Sequence, residues 1–235
     1  CSKLNRSLKC KVKRPVNYWK GTVHNFLRFF SLFISLFFLL SLQYSQAESS
    51  LQRLPFPDKI KEKIKNHTIH VESKVETFEG DGLTIKGEGQ RLKFQIAGLH
   101  KKSCARALAI LSQYENYKNH IDFVKDSRYN ETIPEIYLLL SSALLPFDMS
   151  LSFKIPRITA PGDYVFSFEK GFLKDLSGTI HVYAVEEEKK DFCLFYTEAS
   201  WVGPYSKIPS PIFELFSTTI SRLSMEKLFK ISGSY

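Results

Sequence analysis

Methionine is nearly missing from this chain of 235 residues. Met149 and Met225 are the only two, and the chain opens on Cys1. That opening reads as a fragment end or a non-standard start, with Val23 a candidate start if its codon is an alternative one. Cysteine is also scarce: Cys1, Cys10, Cys104 and Cys193. None of the four forms the paired-Cys spacing of a zinc site. The chain also lacks an H-E-x-x-H helix, a nucleophile elbow and a P-loop, so the signatures of zinc proteases, α/β hydrolases and P-loop nucleotidases are absent. No metal and no cofactor is expected. No internal repeat of fixed period is present. Residues 1–47 hold no Asp or Glu at all.

That last absence explains the charge. The formal net charge is +9, from 33 basic and 24 acidic residues. Lys3, Arg6, Lys9, Lys11, Lys13, Arg14, Lys20 and Arg28 all lie in the acid-free leader. From Glu48 onward, 25 bases face 24 acids. The remainder is close to neutral, which excludes a broad phosphate-binding surface and a nucleic-acid partner.

Residues 29–42 (FFSLFISLFFLLSL) are apolar throughout. The run matches the h-region of a signal peptide and is shorter than the roughly 20 residues that span a bilayer. Ser45-Gln46-Ala47 supplies small residues at −3 and −1, so the mature chain is expected to begin at Glu48. The expectation is an exported protein, periplasmic or extracellular, with no stable membrane span once residues 1–47 are removed. The alternative is an uncleaved anchor whose flanks lengthen the span. No Cys follows the run, so a bacterial lipoprotein signal is excluded. Export permits a bridge between Cys104 and Cys193. Two small buried thiols fit the same spacing. Cys104 opens a helix and Cys193 sits in a late strand, so the pair is not expected to control stability.

Residues 48–66 mix Pro55, Pro57 and a Lys/Glu run. They read as a linker with a short surface helix over 58–65. From Ile69 the period becomes two: Ile69, Val71, Ser73, Val75 and Thr77 alternate with polar residues, the mark of a half-buried strand. Glu79-Gly80-Asp81-Gly82 is a hairpin turn signal. Leu83-Thr84-Ile85 reads as the returning arm of a hairpin at 69–88. A strand over 91–97 follows, then a helix over 104–112 capped by Ser103, then an aromatic turn at 113–120 with Tyr114 and Tyr117. Strands are expected near 121–129, 133–144, 147–155, 163–169, 177–187 and 191–202. Their separators are short turns and polar runs, which favours antiparallel meanders over parallel crossovers.

The last long stretch, 211–231, reads as one helix, with Ser210 as N-cap and Pro211 in the first turn. On a wheel, Ile212, Phe213, Leu215, Phe216, Thr219, Ile220 and Leu223 share an arc of roughly 160°. Met225, Leu228 and Phe229 point away from that arc, so the last turns are expected to fray or to pack elsewhere.

Ala107-Leu108-Ala109-Ile110-Leu111, then Tyr114 and Tyr117, then Ile121-Asp122-Phe123-Val124 form a helix, a break and a strand opening. Phe166-Ser167-Phe168, Gly171, Ser177-Gly178-Thr179-Ile180 and Leu194-Phe195-Tyr196 form a meander before the proline-bounded helix. Over 91–231 this order resembles the helix-grip fold of the START and birch-pollen-allergen-like (SRPBCC) superfamily, in particular its bacterial polyketide cyclase and lipid-transport-like members. The resemblance implies an α+β fold. A curved antiparallel sheet wraps a long C-terminal helix, and two short helices follow the first family strand. The hairpin at 69–88 is extra to the pattern, inside a domain spanning 67–235. The resemblance further implies a cavity between sheet and helix that takes an apolar small molecule or lipid.

The candidate lining is Met149, Leu151, Phe153, Tyr164, Phe166, Phe168, His181, Tyr183, Phe195, Trp201, Phe213, Phe216 and Ile220. Each of the apolar ones fits an ordinary filled core as well, and His181, alternating with Ile180 and Val182, fits a solvent-facing or structural position more readily than a cavity anchor. Three functions stay open. One is an exported binding or transport protein. Another is an interaction protein with a filled core, which meets its partner through the hairpin. The third is a cyclase, dehydratase or hydrolase using Tyr164, His181 or Tyr183, supported if two of them face inward. No catalytic set is evident, so the enzyme reading is the less favoured. His120 and Asp122 read as a solvated rim, and His67 and His70 as a poor metal set.

Overall fold

A computed structural model describes residues 50–143, 147–171, 173–187 and 189–233. The apolar run at 29–42 and the expected cleavage after Ala47 lie outside them. Helix α1 (Asp58–Lys65) is followed by β1 (His70–Glu79), β2 (Glu88–His100), α2 (Cys104–Leu111) and a 3-10 helix (Tyr114–Asn119). Then come β3 (Val124–Asn130), β4 (Glu135–Leu140), β5 (Met149–Lys154), β6 (Gly162–Gly171), β7 (Ser177–Glu187) and β8 (Lys190–Pro204). The C-terminal helix α3 (Ser210–Ile231) ends the order. The eight strands make one sheet, ordered β1-β2-β8-β7-β6-β5-β4-β3, and every neighbouring pair is antiparallel. This is the helix-grip arrangement with one further strand, β1, at its edge.

The hairpin differs from the expectation in one arm. The partner of β1 is β2 itself, with Val71 opposite Ile96 and Val75 opposite Leu92. Leu83-Thr84-Ile85 is loop, and Leu83 is 89% exposed. One carboxylate oxygen of Asp81 accepts the backbone N–H of Leu83, Thr84 and Ile85 at 3.0, 2.8 and 3.1 Å. Those donors are satisfied locally, so they need no strand partner. The same three bonds hold the Asp81 carboxyl below its ordinary range.

Alternation assigns the two faces. Leu92, Ile96, Phe195, Trp201, Phe166 and Val182 pack inward with α3. Ala97, Leu99, Val185, Leu194 and Tyr196 pack outward, under Leu54, Phe56 and Ile64. The segment at 48–66 is therefore no free linker. Its helix falls at Asp58–Lys65 as expected, but Ile64 is wholly buried and the segment covers the outer face. Leu54, Phe56 and Ile64 are too few to show as a period in a Lys-rich run.

The wheel also misplaces the buried face of α3. Ile212 and Leu215 are 56% and 68% exposed, while Phe229 is 2% exposed. With Phe213 set at 0° and about 100° per residue, Phe216, Ile220 and Leu223 fall at roughly 280–340°. They meet Ile121, Phe123, Leu140, Met149 and Leu151. Phe213, Leu228, Met225 and Phe229 sweep from 0° to roughly 160° on the same wheel and meet the strands around β2 and β8. A wrapped helix buries most of its circumference, so no single apolar stripe marks its inward side. Of the two outcomes expected for the last turns, fraying or packing elsewhere, the second holds: Met225, Leu228 and Phe229 pack against the core.

Cys104 and Cys193 are bonded to each other, with Cα atoms 4.7 Å apart. The bridge ties the first turn of α2 to the inner face of β8, so of the two readings left open, bridge or free thiols, the structure has the bridge. Chain separation hid it: the two positions are 89 apart in the sequence. At the other end of α2, the Arg157 guanidinium lies 4.5 Å from the Tyr129 ring and 5.7 Å from the Tyr114 ring. It also pairs with Glu131 at 2.6 Å and Glu115 at 3.1 Å. Burial pushes the Tyr114 hydroxyl up to about 12, and pushes Tyr117 up as well.

Candidate functional site

The space between α3 and the inner face is built as a ladder. Strand β2 and helix α3 run the same way. At one end Trp201 and Phe213 meet edge to face, 6.0 Å apart. The Trp201 indole N–H donates to the Lys174 carbonyl at 2.9 Å, which fixes that ring. At the other end Phe195 lies 5.6 Å from Phe229, and Gly98 leaves room for Met225 and Phe229. The steps between these aromatic plugs carry small side chains: Ser217 and Ser221 on the helix, Ala199 and Thr197 on β8, Gly178 on β7.

Exposure follows the same pattern. On α3 only Phe213 and Phe229 are fully buried, at 0% and 2%. Phe94, Phe153, Tyr164, Phe168, Ile180 and Phe216 face inward yet are only half-buried. Large apolar side chains in a close-packed core make contacts on all sides and lose nearly all exposure. Those in the middle of this inner face do not.

Two buried polar residues of β2 hold the helix at its ends. Gln90 is 0% exposed; its amide N–H donates to the Ile208 carbonyl at 2.8 Å and its carbonyl oxygen accepts the Ser206 N–H at 3.0 Å. Together they fix the loop that starts α3. His100 is also 0% exposed. Its Nδ1 accepts the Lys102 N–H at 3.0 Å, and its Nε2–H donates to Ser232 Oγ at 2.9 Å, just past the last turn of α3. Both side chains share the inward parity of Leu92 and Ile96. Neither stood out in the sequence, where a Gln and a His at strand ends look like solvated positions.

The long side of the helix is held more lightly, by β1. Ser73 and Ser217 hydroxyls lie 2.5 Å apart, Thr77 and Ser210 hydroxyls 2.8 Å, and the Val75 N–H donates to Glu214 at 3.2 Å. An open groove of about 1140 Å³ reaches this seam. Its lining mixes Ser73, Phe94, Ala199, Glu214 and Thr218 with outer-face residues such as Lys93, Gln95 and Glu198. A hollow of about 470 Å³, lined by Val75, Ser210, Pro211, Glu214, Leu215 and Thr218, lies at the same seam.

The predicted lining residues separate into two groups. Phe153, Tyr164, Phe166, Phe168, Phe195, Trp201, Phe213 and Phe216 belong to the inner cluster around β2 and β8. Met149, Leu151 and Ile220 belong to the neighbouring inner cluster on the β3–β5 side. His181 and Tyr183 are on the opposite face, a correction that follows from parity: Val182 is the inward residue between them. There His181 stacks on Tyr196 and Tyr183, with ring centroids 5.3 and 5.9 Å away. Its Nδ1 lies 2.8 Å from Asp163, and Glu198 is 3.8 Å from Nε2. Tyr164 faces inward, but its hydroxyl donates to the Ala160 carbonyl at 2.7 Å. The three residues named for an enzyme therefore do not converge. Among the described residues no group of three or more His, Cys, Asp or Glu is placed to hold a metal. Asp122 pairs with Lys227 at 2.7 Å, which holds its carboxyl below the ordinary range.

Several solved structures are similar to this chain. A START superfamily protein from Mycobacterium smegmatis gives a TM-score of 0.47 at 12% identity, over 60% of this chain and 96% of that one. A conserved protein from Geobacillus kaustophilus gives 0.48 at 14% identity, over 60% and 94%. The di-domain ARO/CYC StfQ of the steffimycin biosynthetic pathway gives 0.45 at 9% identity, over 61% and 52%. At these identities the likeness concerns the fold alone. No family model matches the chain, and no curated protein matches it in sequence.

Proposed function

We propose that this chain is an exported carrier that holds an apolar small molecule or lipid between α3 and the inner face of the sheet. One observation carries the reading: α3 is sealed by Phe213 and Phe229 at its two ends, while the inward aromatics between them stay half-buried. An apolar space with few convergent polar groups suits a ligand held mainly by burial of its surface. Two further features support export. The leader has the pattern of a cleaved signal, and the Cys104–Cys193 bridge suits an oxidising compartment.

The test fills the space from the helix. Ser221→Phe places a ring between the two plugs, where the neighbours are small. Native mass spectrometry of protein from its own host should show a retained apolar ligand. A fluorescent fatty acid should bind the parent protein and bind Ser221→Phe at least tenfold more weakly, with the melting temperature kept. A parent protein that retains nothing and binds no apolar probe would overturn the proposal. N-terminal sequencing of exported material should give a start near Glu48.

A further inference from the structure

The two pins on α3 differ in one respect: Gln90 has no proton to gain, and His100 does. His100 lies against four elements. Its own strand continues into Lys101 and Lys102. The turn after α1 brings His67, whose Nδ1 bonds the Leu99 carbonyl at 2.9 Å. From β8 comes Cys193, the cross-strand partner of His100. From α3 come Phe229, whose ring meets the imidazole edge to face at 5.0 Å, and Ser232.

The hydrogen bonds fix one tautomer. Nδ1 receives the Lys102 N–H, so it carries no proton, and the proton sits on Nε2 toward Ser232. Ser232 Oγ in turn donates to the Leu228 carbonyl at 2.7 Å. The chain of donors therefore runs from Lys102 through the ring into the last turn of α3. A second proton would go on Nδ1, where it would face the Lys102 N–H head on. The Lys102 carbonyl, 3.4 Å from Nδ1, is too far to accept it well. The side chains of Lys102 and His67 also oppose a positive charge there, while the carbonyls of Lys102 and Phe229 act the other way. Burial is the largest influence and holds His100 below its ordinary value.

We propose that neutral His100 locks the C-terminal end of α3 to the sheet and that protonation unlocks it. Mild acid would then free the Phe229 plug and open that end of the inner space. The lock is independent of what the space holds; only its use for releasing a ligand rests on the carrier reading. The sign follows from linkage. A histidine whose folded value lies below its unfolded value of about 6.5 stabilises the fold above that pH. The contribution is lost as pH falls from there toward the folded value.

Hydrogen exchange on the full chain, with the bridge intact and no ligand added, tests the lock. After correction for intrinsic rates, amides of residues 225–233 should lose roughly tenfold or more of their protection between about pH 7.5 and pH 5, while amides at the Gln90 end keep theirs. His100→Asn supplies a carbonyl acceptor for the Lys102 N–H and cannot titrate, so its protection should be flat across that range. Unchanged protection in the parent protein, or the same acid response in His100→Asn, overturns the proposal. If His100→Asn does not fold, imidazole nitrogen NMR of the parent protein decides. The ring should be the Nε2–H tautomer and should titrate together with the loss of protection. A ring that titrates while those amides stay protected overturns the lock. Because no ligand enters this experiment, its failure leaves the carrier proposal standing, and an empty carrier leaves the lock standing.

Discussion

The two faces of the sheet are covered very differently. On the outer face an eight-residue helix and a few residues before it suffice: Ile64, Ala97 and Leu194 are 0% exposed. On the inner face a helix of 22 residues leaves Phe94, Tyr164 and Ile180 half-buried. The longer cover leaves these three less buried than the positions under the shorter one. Length of cover therefore does not decide how well a sheet face is buried. What decides it is whether side chains of matching size meet across the gap. Outside, Leu54, Phe56 and Ile64 meet Leu99, Leu194 and Tyr196. Inside, the small Ser217 of α3 meets the small Ser73 of β1.

The contrast can be broken at its strongest point first. The Cys104–Cys193 bridge anchors α2 to the inner face and closes a loop of 89 residues. A loop of that size is worth about 4.6 kcal/mol in the chain-entropy account. Reduction, or Cys104→Ser with Cys193→Ser, should lower the melting temperature sharply, measured by calorimetry. A melt that does not move with reductant would mean that the bridge adds nothing.

A matched pair of truncations then measures the two faces directly. Ile64→Ala, in the sealed outer layer, should cost about 3 kcal/mol through lost transfer energy and the void left behind. Ile180→Ala removes the same atoms from the inner face and should cost about 1 kcal/mol, because fewer contacts are lost. Chemical denaturation of both variants checks this, and equal costs would mean that the inner face is packed as tightly as the outer. Phe216→Ala should behave like Ile180→Ala. It should cost less than the 3–5 kcal/mol usual for a buried aromatic, and it should also change the uptake of an apolar probe.

The smallest effect belongs to the rim. Lys227→Ala removes the exposed partner of Asp122. The pairing lowers the Asp122 value, so its contribution is present at neutral pH and is lost as pH falls through the carboxylate range. The variant should melt within experimental scatter of the parent at neutral pH, since exposed ion pairs add little.

Most of the fold was legible in the residues because strands and turns are local. The alternation from Val71 to Thr77 and the separators near Asn130 and Gly171 place their elements without any tertiary knowledge. The misses share one cause. Which face of α3 is buried depends on a sheet that curves around it, so Phe229 looked outward on a wheel and is buried. His181, read as facing either the cavity or solvent, and Tyr183, named for the cavity, are both put outside by parity. Cys104 meets Cys193, and Gln90 meets Ser206 and Ile208, across long stretches of chain that no local pattern spans. The half-buried lining was named largely by its aromatic residues. The small residues that leave the space were overlooked, because small side chains carry no apolar signal.

The pins at Gln90 and His100 also set a gauge. Ten residue steps along β2 separate them, roughly 33 Å at the strand rise, and the 22 residues of α3 span roughly 33 Å at the helix rise. Removing one residue from α3 would turn everything beyond it by about 100°, and removing one from β2 would send its inward side chains outward. The frame thus comes in one length only. Any change in the size of the inner space must come from trading side chains along the middle rungs, as a drawer of fixed depth is refitted with different dividers.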